Sequence, residues 1–97
     1  MPLYAVIRRP GAGWRADRTL QEQAEFQPHA DYMNRLYARG ALVYGGFLDG
    51  GPEVLLIMRG TSPDEVRADL QGDPWVPLEI LPVDRVALWT LGLGDIP

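Results

Sequence analysis

Two β-strands and a turn between them are predicted for residues 42–59, LVYGGFLDGGPEVLLIMR. The strand-like segments are Leu42–Leu48 and Glu53–Arg59, and Asp49-Gly50-Gly51-Pro52 between them is rich in turn formers. Because this connection is short, we predict an antiparallel hairpin. The run Val54–Met58 is apolar without interruption, which indicates that both faces of its strand are covered.

Upstream of the hairpin, the sequence predicts a strand at Leu3–Arg8 and then a helical segment. The helical segment starts at Thr19, which has capping-box spacing to Glu22, and it ends at Arg39-Gly40. Pro28 interrupts it, because a proline inside a helix removes one backbone hydrogen bond. The helix therefore either kinks near Pro28 or restarts with Pro28 in its first turn.

Downstream of the hairpin, Ser62-Pro63-Asp64-Glu65 predicts a helix start, with serine at the N-cap and proline at the first helical position. Glu65 has the spacing of a capping box. Gly72 ends this helix, Val83–Leu91 is the last predicted strand, and Gly92–Pro97 forms a tail.

The predicted order β-α-β-β-α-β is that of a ferredoxin-like α+β fold, with a four-stranded antiparallel sheet and two helices on one face. Residues 1–97 are expected to form a single domain. The apolar residues on both faces of Val54–Met58 and Val86–Trp89 require cover that this short chain does not supply. A second copy is the economical cover, so we expect a homodimer with the sheets face to face.

Composition excludes several classes of function. The 97 residues carry a net charge of −4, which argues against a nucleic-acid partner. The chain has no cysteine and no lysine, which removes thiol chemistry, cysteine-ligated metals and Schiff-base chemistry. We expect no membrane partner and a cytoplasmic location, because no apolar run approaches a bilayer span and the N-terminus lacks the features of a signal peptide.

His29 and Asp73 are the candidate catalytic residues. His29 is the only histidine, and it is either a packed side chain or a general acid/base, since imidazole titrates near neutral pH. A single histidine builds no histidine-cluster metal site, and no spacing argues for a metal. Asp73 is either a turn residue after Gly72 or the carboxylate that orients a histidine.

Other residues are candidates for binding a substrate, each with a structural alternative. Gly45-Gly46 is either a bulge or bend in the sheet or a place where a ligand approaches the strand. Arg8 and Arg9 either bind an anionic substrate or end an edge of the sheet. The remaining pocket candidates, which could equally be core or interface residues, are Trp14, Tyr32, Met33 and Trp75.

These segments together resemble the YCII-related domain family. The resemblance rests on Arg9-Pro10-Gly11 after the first strand with Trp14 beyond it, His29-Ala30-Asp31-Tyr32-Met33, Gly40–Gly46, Val54–Met58, Ser62–Val66 and Asp73-Pro74-Trp75-Val76. It implies a dimeric α+β barrel with an active-site His and Asp, which here fall on His29 and Asp73. One member of that family eliminates chloride from a chlorinated hydroxyhydroquinone. The sequence departs from the pattern at Phe47, where many relatives have proline.

Two functional hypotheses follow. The first is a small-molecule lyase or isomerase without metal or organic cofactor, in which His29 moves a proton and Asp73 orients the imidazole. The second is a non-catalytic ligand-binding or regulatory module on the same dimeric barrel, in which His29 is only packed. A cofactor-free monooxygenase is a minor third hypothesis.

Overall fold

Four strands and two helices follow one another in the predicted order β-α-β-β-α-β. The computed structural model describes residues 1–96, and Pro97, the end of the predicted tail, lies outside the described residues. The last strand ends two residues earlier than predicted, and short 3₁₀ turns occupy Leu20–Glu22 and Leu48–Gly50. The elements are β1 (Leu3–Arg8), α1 (Phe26–Ala38), β2 (Leu42–Phe47), β3 (Val54–Arg59), α2 (Pro63–Gln71) and β4 (Val83–Trp89).

The strands form one antiparallel sheet in the order β2-β3-β1-β4. This order confirms the predicted α+β, ferredoxin-like fold and the β2–β3 hairpin. Because β1 is a central strand, Arg8 does not lie at a sheet edge, and it pairs with Val54 on one side and Val83 on the other. Arg9 is exposed and forms ion pairs with Glu53 and Asp84 on the two neighbouring segments.

Helix α1 starts anew within the segment that contains Pro28. Glu25 has a left-handed backbone conformation (φ 56°) that separates α1 from the preceding 3₁₀ turn. Pro28 then lies in the first turn of α1, where its missing N–H is not needed. The predicted capping box of Thr19 and Glu22 is present, but it closes only the short 3₁₀ turn.

The core lies between the helices and one face of the sheet. Burial alternates along β1, so Tyr4, Val6 and Arg8 face the helices. Leu36 of α1 and Leu70 of α2 pack into the same apolar cluster. Helix α2 begins as predicted, with the Ser62 hydroxyl accepting a hydrogen bond from the Glu65 backbone N–H (3.1 Å). Within residues 1–96, no helix combines the length and apolar character needed to span a membrane.

The opposite face of the sheet also carries apolar side chains. Ile7 on β1 alternates with the buried residues, and Leu55 and Ile57 on β3 lie on this same face. Ala87 and Trp89 continue the face on β4. Neither helix covers it, because both pack against the other side of the sheet.

Candidate active site

His29 is held by α1 and by two side chains from the segment after α2. It lies in the first turn of α1, and its backbone N–H donates to the Glu25 carbonyl oxygen (3.1 Å). Its Nδ1 lies 2.9 Å from each carboxylate oxygen of Asp73. The imidazole also stacks on Trp75, with ring centroids 3.7 Å apart and an interplanar angle of 4°. The ring plane is therefore fixed from two directions, and Asp73 engages Nδ1.

Asp73 is fully buried, and two hydrogen bonds to backbone groups hold it in addition to its side-chain partners. It follows Gly72, the C-cap of α2, and its backbone N–H donates to the Leu70 carbonyl oxygen. Its Oδ1 accepts a hydrogen bond from the Trp75 backbone N–H (3.0 Å), which is the usual turn-forming contact of an aspartate. The two alternatives for Asp73 are therefore compatible, since the turn residue is also the partner of His29.

Arg8 is the third member of the cluster, and its place in it was not predicted. Its Nη1 donates to Asp73 Oδ2 (2.7 Å), and its Nε donates to the Leu81 carbonyl oxygen (2.6 Å). The side chain is only 1% exposed. A sequence signal for this burial exists, because Arg8 alternates in register with Tyr4 and Val6 on the buried face of β1.

Asp73 is ionised in this cluster. Burial raises the pKa of its carboxyl, but hydrogen bonds from His29 and Trp75, together with the charge and hydrogen bond of Arg8, outweigh that effect. The net result is a pKa below the ordinary value for aspartate. The carboxylate is therefore a fixed negative charge beside the imidazole.

A cavity of about 230 Å³ opens on His29 between α1 and the sheet. Five of the predicted pocket residues line it together with His29: Arg8, Met33, Gly45, Gly46 and Trp75. Sequence reasoning missed the other lining residues, which are all apolar: Leu20, Leu42, Phe47, Val54, Leu56 and Leu81.

The glycine pair Gly45-Gly46 of β2 lies beside this cavity. This position favours a place where a ligand approaches the strand over a bulge or bend in the sheet. The irregularity in the β2–β3 register falls between Leu42 and Tyr44, ahead of the pair. A Cβ atom on Gly45 would lie only 3.0 Å from the Leu56 side chain. Glycine therefore allows close packing here, and both glycines contribute to the wall.

Two predicted pocket residues lie outside the cavity. Tyr32 is turned toward α2, where its hydroxyl donates to the Asp69 carbonyl oxygen (2.5 Å) and its ring packs on Gly72. Trp14 lines a neighbouring cavity of about 350 Å³ instead. The two cavities share Leu20 and Phe47, so these side chains form the wall between them.

The chemistry of this arrangement follows from its hydrogen bonds. A neutral imidazole that donates its Nδ1 proton to Asp73 presents the lone pair of Nε2, which is the form competent to accept a proton. Asp73 would also stabilise the imidazolium that results. Across residues 1–96, no group of three or more His, Cys, Asp or Glu side chains is placed to hold a metal ion.

Fold and site define a ferredoxin-like α+β protein with a His–Asp pair beside an apolar cavity. No family model matches the sequence, and no curated protein matches it. Among solved structures, the chain is similar to 5-chloro-2-hydroxyhydroquinone dehydrochlorinase (TftG) from Burkholderia phenoliruptrix AC1100, in complex with 2,5-dihydroxybenzoquinone. The TM-score is 0.55 with 20% sequence identity, and the match covers 95% of both chains. A likeness at this identity establishes the fold.

Proposed function

We propose that this chain is a small-molecule lyase or isomerase that uses His29 as a general acid/base and requires neither a metal nor an organic cofactor. Asp73 orients the imidazole through Nδ1 and stabilises its cationic form. The single observation that carries the proposal is the His29–Asp73 contact, at 2.9 Å, beside a cavity that His29 itself lines. Stacking on Trp75 supports it, because a fixed ring directs Nε2 without a reorganisation cost.

The cavity favours a substrate with one ring. An apolar protein cavity of about 150 Å³ is enough to hold benzene, so about 230 Å³ accommodates one ring with substituents. The structural neighbour is named as acting on a chlorinated hydroxyhydroquinone. The resemblance to the YCII-related domain family points the same way, so halogenated hydroxyhydroquinones and other carbonyl-activated or phenolic rings are the substrates to examine first.

Turnover is tested by incubating the protein in D₂O with a panel of chlorinated hydroquinones and unsaturated lactones. We expect at least one compound to release chloride or to exchange a carbon-bound proton for deuterium, because a positioned base accelerates proton transfer about 10²–10⁴-fold. Proton NMR and ion chromatography measure these two products. Saturable binding of the panel without any exchange or elimination would contradict the lyase or isomerase proposal.

That contrary result would favour the second candidate function, a non-catalytic binding or regulatory module. One observation supports this alternative. Asp73 satisfies a turn and a buried arginine, so the cluster has structural uses whether or not His29 moves a proton. The cavity would then hold a ligand that is released unchanged.

We also propose that the chain is a homodimer in which the two sheets pack together through the faces that the helices leave uncovered. The apolar side chains of Ile7 and Leu55 on this face support it, since both are partly exposed in the single chain and burying them against a second copy removes apolar area from water. Sedimentation equilibrium at micromolar concentration is expected to give twice the chain mass of 10.8 kDa. Leu55→Glu, at a partly exposed position of this face, should shift the protein to monomer, whereas a monomeric wild type would contradict the proposal.

A further inference from the structure

The Phe47 ring stands between the cavity at His29 and the cavity at Trp14. The register of the hairpin pairs Phe47 with Val54, and both residues line the His29 cavity. Phe47 also lines the Trp14 cavity, together with Leu20. Because the same ring belongs to both walls, it helps to keep the two spaces separate.

The turn between β2 and β3 holds the Phe47 ring in this position. A Cβ atom on Gly51 would lie 3.4 Å from Cδ1 of Phe47, so the ring packs closely against the glycine backbone. Gly51 has a φ of 104°, a conformation that residues with a side chain rarely adopt. The same turn contributes Gly50, Gly51 and Pro52 to the wall of the Trp14 cavity. The turn therefore both places the ring and builds the space behind it.

The Trp14 cavity suits an apolar group with the size of a further ring. Its volume is about 350 Å³, and its lining residues in the described part of the chain are all uncharged. An apolar protein cavity of about 150 Å³ holds benzene, so each of the two cavities is large enough for one ring. A ligand with two rings in line would need both cavities, and it would have to displace the side chain of Phe47 or Leu20.

The two residues of this wall differ in how firmly they are held. Leu20 packs against the apolar core cluster of the fold. Phe47 is 47% exposed and is not part of that cluster. Replacing the Phe47 ring by a smaller side chain therefore opens the wall and leaves the core packed.

We propose that Phe47 is a specificity-determining residue, which restricts the ligand to one ring by closing the His29 cavity toward the Trp14 cavity. When its ring is removed, the Trp14 cavity takes an apolar arm of a longer ligand whose first ring lies beside His29. This inference rests on the proposed function for the place where the first ring binds. It adds the residue that sets the length of the ligand and the space that a longer ligand enters.

The test compares 4-methylphenol with 4-phenylphenol, which differ only in the arm opposite the hydroxyl. NMR titration of ¹⁵N-labelled protein measures both affinities and reports separately on the Trp14 indole N–H. Wild type is expected to bind 4-phenylphenol no more tightly than 4-methylphenol, without a shift of the Trp14 signal. Phe47→Ala should bind 4-phenylphenol at least about tenfold more tightly than wild type does, because the phenyl arm then leaves water for an apolar cavity. The Trp14 signal should shift in this variant with 4-phenylphenol and not with 4-methylphenol.

Tyr44→Ala is the matched control. Tyr44 is an aromatic residue on the same strand with a similar exposure, 48%, and it lines neither cavity. Its replacement should alter neither affinity.

Two results would overturn the inference. The first is a wild type that binds 4-phenylphenol more tightly than 4-methylphenol with a shift at Trp14, a comparison that needs no variant. The second is a folded Phe47→Ala protein that keeps the wild-type ratio of affinities. If the expected affinities are found but no panel compound is turned over, the proposed function fails and this inference stands. Turnover together with an unchanged ratio in Phe47→Ala would do the reverse.

Discussion

Asp73→Asn is expected to lower the free energy of unfolding by about 3–5 kcal/mol, since removing one member of a buried ion pair leaves the other charge uncompensated. Asparagine has nearly the same volume as aspartate, so the loss reflects charge and not packing. Arg8 would remain 1% exposed with no anion beside it. The His29 Nδ1 contact and the turn at Trp75 would weaken at the same time. Urea denaturation at neutral pH measures the change.

Asp69→Asn is the matched control for this prediction. Asp69 pairs with Arg39 at 2.9 Å, but the Arg39 side chain is 56% exposed, so its loss should cost no more than about 1 kcal/mol. A second control is the double variant Arg8→Met/Asp73→Asn. It should be less destabilised than the sum of the two single variants, since it leaves no buried arginine unpaired. Equal losses for Asp73→Asn and Asp69→Asn would show that the buried pair has no special importance.

The contribution of Asp73 should disappear in acid. Its pKa in the folded chain is lower than in the unfolded chain, so the ionised carboxylate stabilises the fold at every pH above the ordinary aspartate value. The contribution decreases as the pH falls below about 4 and through the folded-state pKa. The stability difference between wild type and Asp73→Asn should therefore be full at neutral pH and shrink on acidification.

His29→Ala is expected to reduce kcat by about 10²–10⁴-fold on any substrate that the panel identifies, because it removes the proposed proton acceptor. Stability should change much less than in Asp73→Asn, since Arg8 keeps its carboxylate partner. Steady-state kinetics and urea denaturation of the same preparation separate these two effects. A variant that retains full turnover would exclude His29 as the base.

Tyr32→Phe serves as the control for His29→Ala. Tyr32 lies three residues further along α1 and outside the cavity lining, and its hydroxyl bonds to Asp69. Removing the hydroxyl should cost about 1 kcal/mol of stability and leave kcat and KM unchanged. A changed KM would mean that Tyr32 reaches the substrate after all.

The fold was predictable because its signals are local. Capping at Ser62, the apolar run Val54–Met58 and the turn before it each act over a few residues. The sequence left open whether α1 kinks or restarts, since both options satisfy Pro28. The left-handed conformation of Glu25 resolves this choice, and glutamate has no intrinsic preference for that conformation.

Most residues of the candidate site were predictable, but the contacts between them were not. His29 and Asp73 are 44 positions apart, and nothing in their spacing shows that they meet. The burial of Arg8 could be predicted from its alternation with Tyr4 and Val6 along β1. Arginine is rarely buried without a partner, however, and the sequence did not show that Asp73 is that partner. Met33 and Tyr32 follow His29 by four and three residues, and only the first lies on the cavity side of α1.

The wall shared by the two cavities has a consequence for how this chain diversifies over evolutionary time. Arg8 and Asp73 form the buried ion pair on which we expect the stability of the fold to depend, so mutations there should be removed by selection before they alter specificity. Leu20 and Phe47 are different, since Phe47 is 47% exposed and neither side chain belongs to the ion-paired cluster. Smaller residues at these two positions would join the cavities and admit longer ligands. Descendants of this chain should therefore acquire new ligands through changes in the apolar wall while they inherit the polar cluster intact.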